Sequence, residues 1–217
     1  NYGDWLSVGP TSDRTLVATA YWHRVADLMA RIAKVLGHAT DAARYAQLAR
    51  SIAAAFQAEY LDQNGRLTGD TQTAYLLALD FGLLSEAVRP MAAQRLVELI
   101  EAADGHLQTG FLGVRHICPV LSENGAPKLA VDLLLKDTYP SWGFSIAQGA
   151  TTIWERWDGW TPEKGFQSVN MNSFNHYAYG AVGEWIWSRI AGIGWDETAP
   201  GFKNVRLRPI FDARLGH

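Results

Sequence analysis

The stretch RTLVATAYWHRVADLMARIAKVL, residues 14–36, decides the fold class, because its apolar residues recur every three or four positions. This spacing places apolar side chains on one face of an α-helix. Gly37 follows directly, and glycine is a common residue at the end of a helix. A helix is therefore predicted over residues 14–36, with an apolar face formed by Val17, Ala20, Tyr21, Leu28, Ile32 and Val35.

Similar patterns continue along the chain and are separated by short connections. The further predicted helices cover residues 40–60 with Thr40 as the cap, 71–82, 85–103 with an early interruption at Pro90, 111–121, 127–136 and 173–190. Such a succession of helices is typical of stacked antiparallel helical hairpins and not of βαβ units. The sequence therefore predicts an all-α protein.

Two segments near the end of the chain depart from this pattern. Residues 141–167 have no steady period, and long irregular segments in compact domains tend to be functional loops. In VRLRPI, residues 205–210, apolar and basic residues alternate, which predicts a β-strand. On the predicted helix 173–190, Asn172 and His176 are four positions apart and are expected on one face near the helix start.

Composition excludes several classes of function. The chain of 217 residues has a net charge of -3 and no run of Lys or Arg, which argues against nucleic acid or a membrane surface as partner. No apolar stretch reaches the roughly 18 residues of a membrane span, so a soluble protein is expected. The single cysteine, Cys118, is predicted to be a buried, inert thiol. The spacing of the histidines predicts no metal site, and no motif indicates a cofactor.

The stretch GATTIWERWDGW, residues 149–160, combines three tryptophans with three charged residues. Indole rings can cover the C–H faces of a sugar while neighbouring polar groups fix its hydroxyls, so this stretch indicates a carbohydrate ligand. Rings around Glu155 would also alter its acid–base behaviour. The alternative is that the indoles belong to the core and Glu155 forms a surface ion pair with Arg156 or another base. Two more pairs of a polar residue with an indole, Asp4-Trp5 and Ser141-Trp142, lie in predicted loops.

Five motifs in order resemble a known family. They are YGDWL from residue 2, TQTAYLLAL from residue 71, HLQTGFLG from residue 106, YPSWGFSIAQGATTIWERWDG from residue 139 and NSFNHYAYGAVGEWIW from residue 172. Together they resemble the inverting bacterial α-L-rhamnosidases, glycoside hydrolases built on an (α/α)6 barrel. The resemblance implies that Glu155 is the general base, that His176 contacts rhamnose and that Trp5 lines the same subsite, with Asp4, Trp142 and Trp154 as further candidates for that subsite.

The resemblance also sets expectations for domains. Residues 1–197 are expected to form the C-terminal part of the catalytic (α/α)6 barrel, and residues 198–217 the beginning of a C-terminal β-sandwich. The family's general acid lies in an acidic, arginine-containing motif upstream of GDWL that this sequence does not contain, so missing sequence is expected on that side. Inversion requires two carboxyl groups roughly 6.5–9.5 Å apart, and the chain accounts for one.

Other functions stay open at this point. An (α/α)6 glycosidase for a gluco-configured sugar would show similar hairpins and Trp-flanked carboxylates. A non-catalytic carbohydrate-binding fragment and a purely structural helical scaffold are the remaining alternatives. The aglycone, the cellular compartment and the oligomeric state are not predicted.

Overall fold

The computed structural model describes residues 2–196 and 198–215, so the predicted domain ranges extend onto four residues, Asn1, Glu197, Gly216 and His217, that lie outside the described ones. Most of the described structure is helical, which confirms the all-α prediction. The helices are α1 (Arg14–Val35), α2 (Ala39–Tyr60), α3 (Gln72–Asp80), α4 (Arg89–Glu101), α5 (Phe111–Glu123), α6 (Pro127–Leu135), α7 (Trp142–Ala147) and α8 (Val182–Trp185). The strands are β1 (Trp160–Thr161), β2 (Gly165–Phe166), β3 (Ile193–Trp195) and β4 (Val205–Leu207).

The chain divides into two compact units. The first contains residues 1–103 and 108–116, and the second contains residues 104–107 and 117–217. In the first unit α1 packs along α2, and α3 packs against α1 and α4. Every residue of α3 from Gln72 to Leu79 is buried, so α3 lies at the centre of this unit.

Two helix starts differ from the prediction. The helix α2 begins at Ala39, and the preceding His38 provides no side-chain cap, so the prediction of Thr40 as the cap was wrong. Gly37 has a φ of 77° and turns the chain so tightly that α2 starts at once. The helix α4 begins at Arg89 and not at Ser85. Pro90 lies in its first turn, where a missing N–H costs no helical hydrogen bond, so Pro90 helps to start the helix instead of interrupting it.

The last predicted helix, residues 173–190, was wrong in its first five residues. Helical structure begins with a 3-10 turn at Ala178–Ala181 and continues through α8 into a π-helical turn at Ile186–Ile190. Within the second unit, the indole N–H of Trp185 donates to Ser122 Oγ at 2.9 Å. Asn172 and His176 precede the helical part, so they do not share a helix face.

The segment predicted as one irregular loop contains two short elements. Ser141 caps α7 by accepting a hydrogen bond from the Phe144 N–H at 3.0 Å. The strands β1 and β2 form an antiparallel ribbon in which Trp160 pairs with Phe166. The strand predicted from VRLRPI is confirmed as β4, which pairs antiparallel with β3. The boundary at residue 197 and the β-sandwich beyond it stay predictions.

Candidate functional site

Two loop segments of the second unit, residues 152–155 and 173–176, are joined by hydrogen bonds. The Glu155 N–H donates to the Ser173 carbonyl at 2.8 Å, and the His176 N–H donates to the Ile153 carbonyl at 2.8 Å. The Thr152 hydroxyl also donates to the Phe174 carbonyl. This pairing places Glu155 and His176 on adjacent segments although 20 residues separate them in the sequence.

The Glu155 carboxylate is oriented by its neighbouring segment. Oε2 accepts a hydrogen bond from the Ser173 N–H at 2.8 Å, so the same residue holds both the backbone and the side chain of Glu155. The alternative of an ion pair with Arg156 was wrong, because Arg156 instead binds Asp158 through Nε and Nη2 at 2.9 and 3.2 Å. Within residues 2–196 and 198–215, Glu155 has no ion pair, and no hydrogen bond reaches its Oε1.

The His176 ring is fixed from its own segment. Its Nδ1 accepts a hydrogen bond from the Ala178 N–H at 3.3 Å, which in the neutral ring places the proton on Nε2. The ring also stacks on Tyr177 with centroids 5.4 Å apart. In this tautomer the ring carries a hydrogen-bond donor at Nε2.

The tryptophans near Glu155 do not share one role. Trp157 is 2% exposed, stacks on Tyr179 with centroids 3.9 Å apart and meets Trp142 edge to face at 5.5 Å. The Trp142 indole N–H donates to the Tyr179 carbonyl at 2.8 Å. Trp142 and Trp157 are therefore core residues beneath the loop that carries Glu155, as the alternative interpretation of the indoles held.

Trp154 lies between this core and the surface. It is buried and meets Phe174 edge to face at 5.1 Å. It also lines an open groove of about 290 Å³ together with Trp160, Phe166, Phe174, the segment Gln148–Ala150 and the two threonines Thr151 and Thr152. The indole of Trp154 thus borders a space that aromatic and hydroxyl side chains share.

Asp4 and Trp5 belong to the first unit, whereas Glu155, His176, Trp142 and Trp154 belong to the second. Trp5 is 39% exposed and meets Tyr2 edge to face at 5.3 Å. Asp4 is 4% exposed, and its carboxylate is surrounded by hydrogen-bond donors of the first unit. Trp5 therefore presents an open ring, while Asp4 does not reach the surface.

The sequence profile described as the bacterial alpha-L-rhamnosidase 6 hairpin glycosidase domain matches residues 1–190. The chain belongs to this family. Two relatives named alpha-L-rhamnosidase, from Streptomyces avermitilis and Formosa agariphila, are 50% and 44% identical over 208 and 224 residues, covering 96% and 99% of this chain. The chain spans 20% and 24% of the lengths of these two proteins.

A solved structure supports the family's fold for this chain. The crystal structure of the Streptomyces avermitilis alpha-L-rhamnosidase complexed with L-rhamnose is 49% identical and superposes with a TM-score of 0.93, over 97% of this chain and 20% of that protein. The prediction of a six-hairpin (α/α)6 domain is thereby confirmed, as is the resemblance to the rhamnosidase family.

Four residues that hold the motifs of this family together were not predicted from the sequence. Thr73, Gly110 and Gly113 surround the Asp4 carboxylate, and Ser173 holds Glu155. All four lie inside the quoted motifs TQTAYLLAL, HLQTGFLG and NSFNHYAYG. A small residue within a motif indicates that another segment packs closely against it, but the spacing of the sequence does not identify that segment.

Other kinds of site find no support in the described part of the chain. No group of three His, Cys, Asp or Glu side chains in residues 2–196 and 198–215 could hold a metal ion. None of the described helices is long and apolar enough to cross a membrane. Cys118 is buried, as predicted, and burial raises the pKa of its thiol to about 12.

Proposed function

We propose that this chain forms part of the catalytic domain of an α-L-rhamnosidase that releases terminal α-L-rhamnose with inversion, and that Glu155 is its general base. The observation that carries the proposal is the 49% identity, at a TM-score of 0.93, to a structure that is complexed with L-rhamnose. Half of the aligned residues being identical across a shared fold supports a shared substrate class.

The geometry of Glu155 supports its role as the base. Ser173 fixes Oε2, which orients the carboxylate and leaves Oε1 to accept a proton from water. In the proposed step, Glu155 takes one proton of a water molecule while the water oxygen bonds to the anomeric carbon. The bond from that carbon to the aglycone oxygen breaks, and a carboxylic acid on the opposite face gives its proton to the leaving oxygen.

His176 and Trp5 are proposed as substrate contacts. The His176 imidazole, on the segment paired with that of Glu155, can bind a hydroxyl of rhamnose, and the open indole of Trp5 can cover an apolar face of the sugar. Trp142 does not contact the substrate but packs against Trp157 in the core under the loop of Glu155. Trp154, the residue before Glu155, lines the groove described above.

The test is Glu155→Gln in the full-length protein, assayed with an aryl α-L-rhamnoside. We expect kcat to fall by at least about a hundredfold, because a positioned general base contributes roughly 10²–10⁴. Proton NMR of the released sugar in the unmodified protein should show the inverted anomer first. The matched control is Glu163→Gln, which changes an exposed carboxylate beside the β1–β2 ribbon and should leave kcat within about twofold.

Two results would contradict the proposal. Near wild-type turnover by Glu155→Gln would remove Glu155 from the mechanism. Faster hydrolysis of an aryl α-D-glucoside than of the rhamnoside would assign the site to a gluco-configured sugar.

A further inference from the structure

The Asp4 carboxylate uses all of its acceptor capacity inside the first unit. Oδ2 accepts hydrogen bonds from the Thr73 hydroxyl at 2.5 Å and the Gly110 N–H at 2.8 Å. Oδ1 accepts from the Leu112 N–H at 2.7 Å and the Gly113 N–H at 3.3 Å. A carboxylate offers about four lone-pair sites, so Asp4 has none left for a ligand.

Three of the four donors belong to the start of α5. The first N–H groups of a helix have no partner within the helix, and a side chain just before the helix normally accepts from them. Here residue 110 is glycine, which has no side chain to do so. Asp4 takes this place from more than 100 residues away, and its negative charge also suits the positive end of the helix dipole.

The same helix start holds the backbone of Trp5. The Phe111 N–H donates to the Trp5 carbonyl at 2.9 Å, and Phe111 lies between Gly110 and Leu112, whose N–H groups both bind Asp4. A Cβ atom on Gly110 would lie 2.0 Å from the Trp5 carbonyl oxygen, and a Cβ atom on Gly113 would lie 2.5 Å from the Thr73 hydroxyl. Only glycine at these two positions allows the loop to approach α5 this closely.

We infer that Asp4 is a positioning residue, which fixes the Trp5 backbone on the start of α5 so that the exposed indole is presented in one orientation to the sugar. The inference rests on the proposed function, in which Trp5 lines the rhamnose subsite. Asp4 acts on the substrate only through Trp5. Asp4 and Trp5 therefore have different roles: the buried carboxylate of Asp4 orders the loop, and the exposed ring of Trp5 contacts the ligand.

The test is a double-mutant cycle of Asp4→Asn and Trp5→Ala in the full-length protein. In Asp4→Asn the new NH2 group replaces one carboxylate oxygen, and at either position it meets a backbone N–H of residues 110–113, so a donor meets a donor next to Phe111, which holds Trp5. We expect KM for an aryl α-L-rhamnoside to rise about tenfold with a smaller change in kcat, as for loss of one charge-assisted hydrogen bond that orders a binding group. With Trp5→Ala already present, Asp4→Asn should change KM less than about twofold.

The control for loss of a buried hydrogen bond is Ser12→Ala. Ser12 binds the Thr71 hydroxyl at 2.8 Å in the same unit but has no bond to Asp4 or Trp5. It should leave KM within about twofold. Equal effects of Asp4→Asn with and without Trp5 would overturn the inference, because Asp4 would then act on the general structure and not through the indole.

A second readout does not depend on activity. In protein labelled with ¹⁵N-tryptophan, the indole N–H peak of Trp5 is assigned by its loss in Trp5→Phe. Asp4→Asn and Thr73→Val should move or broaden this peak, and Thr73→Ser, which keeps the hydroxyl, should not. An unmoved peak overturns the positioning role even in an active rhamnosidase. A moved peak in a protein that does not hydrolyse rhamnosides supports the positioning of Trp5 and contradicts the proposed function.

Discussion

Trp157 is expected to stabilise the loop that carries Glu155, and Trp157→Ala tests this directly. A buried tryptophan removes about 150–250 Å² from water, which at about 25 cal/mol per Å² gives an upper limit of about 4–6 kcal/mol. Measured losses for Trp→Ala in cores are about 3–5 kcal/mol. Trp157 meets this description because it is 2% exposed and contacts both Tyr179 and Trp142.

The assay is hydrogen exchange at the amides of Glu155 and His176, whose bonds to Ser173 and Ile153 join the two loop segments. A loss of 3–5 kcal/mol corresponds to about 100- to 4000-fold faster exchange, since about 1.4 kcal/mol is a factor of ten. Trp187→Ala is the matched control, because Trp187 lies in the same unit and is 58% exposed. The reasoning fails if the two variants accelerate exchange equally, or if Trp157→Ala leaves it unchanged.

Three further outcomes can be measured on stability and reactivity. Gly110→Ala should lower the free energy of unfolding by about 2–3 kcal/mol, because its methyl group would meet the Trp5 carbonyl. The control Gly183→Ala, whose methyl group would have no neighbour within 4 Å, should be neutral or slightly stabilising. Urea denaturation of the two variants measures the difference. Burial lowers the pKa of His23, so the unfolded chain binds the proton more tightly than the folded protein does. Stability should therefore fall as the pH drops from about 6.5 through the folded pKa, and the melting temperature of His23→Gln should depend less on pH in this range. A variant as sensitive to this pH range as the wild type would contradict the prediction. Because burial raises the pKa of Cys118 to about 12, a thiol reagent at pH 8 should label it only after unfolding, and rapid labelling of the native protein would show that the thiol is accessible.

The helices that could be predicted from the sequence are those whose signals are local. The helix α1 has apolar residues at helical spacing and a cap in Asp13, which accepts from the Leu16 N–H at 2.7 Å. Of its predicted apolar face, Val17 and Ala20 are buried, whereas Ile32 and Val35 are exposed. The helix α3 starts after Thr71, whose hydroxyl accepts from the Ala74 N–H at 3.2 Å. In both cases the residues that start the helix lie within three positions of it, so spacing and residue type were sufficient.

The error in the last helix has a non-local cause. Phe174 and Tyr177 continue the helical spacing of Ala181 and Trp185, but backbone groups of residues 173–176 bind residues 152–155 instead. Each such bond joins residues about 20 positions apart, and helical periodicity carries no information about it. The same limit explains why burial of Trp157 and exposure of Trp5 could not be read from the sequence, since both residues stand in similar polar and aromatic surroundings.

The candidate site residues are positioned by long-range hydrogen bonds to backbone groups, so the effect of a substitution depends on which partner of the bond is replaced. Ser173 and Gly110 contribute their backbone N–H groups, which no substitution except proline removes, so the donors persist while the acceptors Glu155 and Asp4 can be lost. Around the buried Asp4, an acceptor that disappears leaves its donors unpaired, which costs more than the bond itself contributes, whereas the exposed Ser173 N–H can bind water instead. The Asp4 carboxylate is therefore the sensitive half of its contact. Asp4 has the larger number of dependent donors, so its replacement should disturb the backbone more than that of Glu155, whose replacement should disturb chiefly the chemistry.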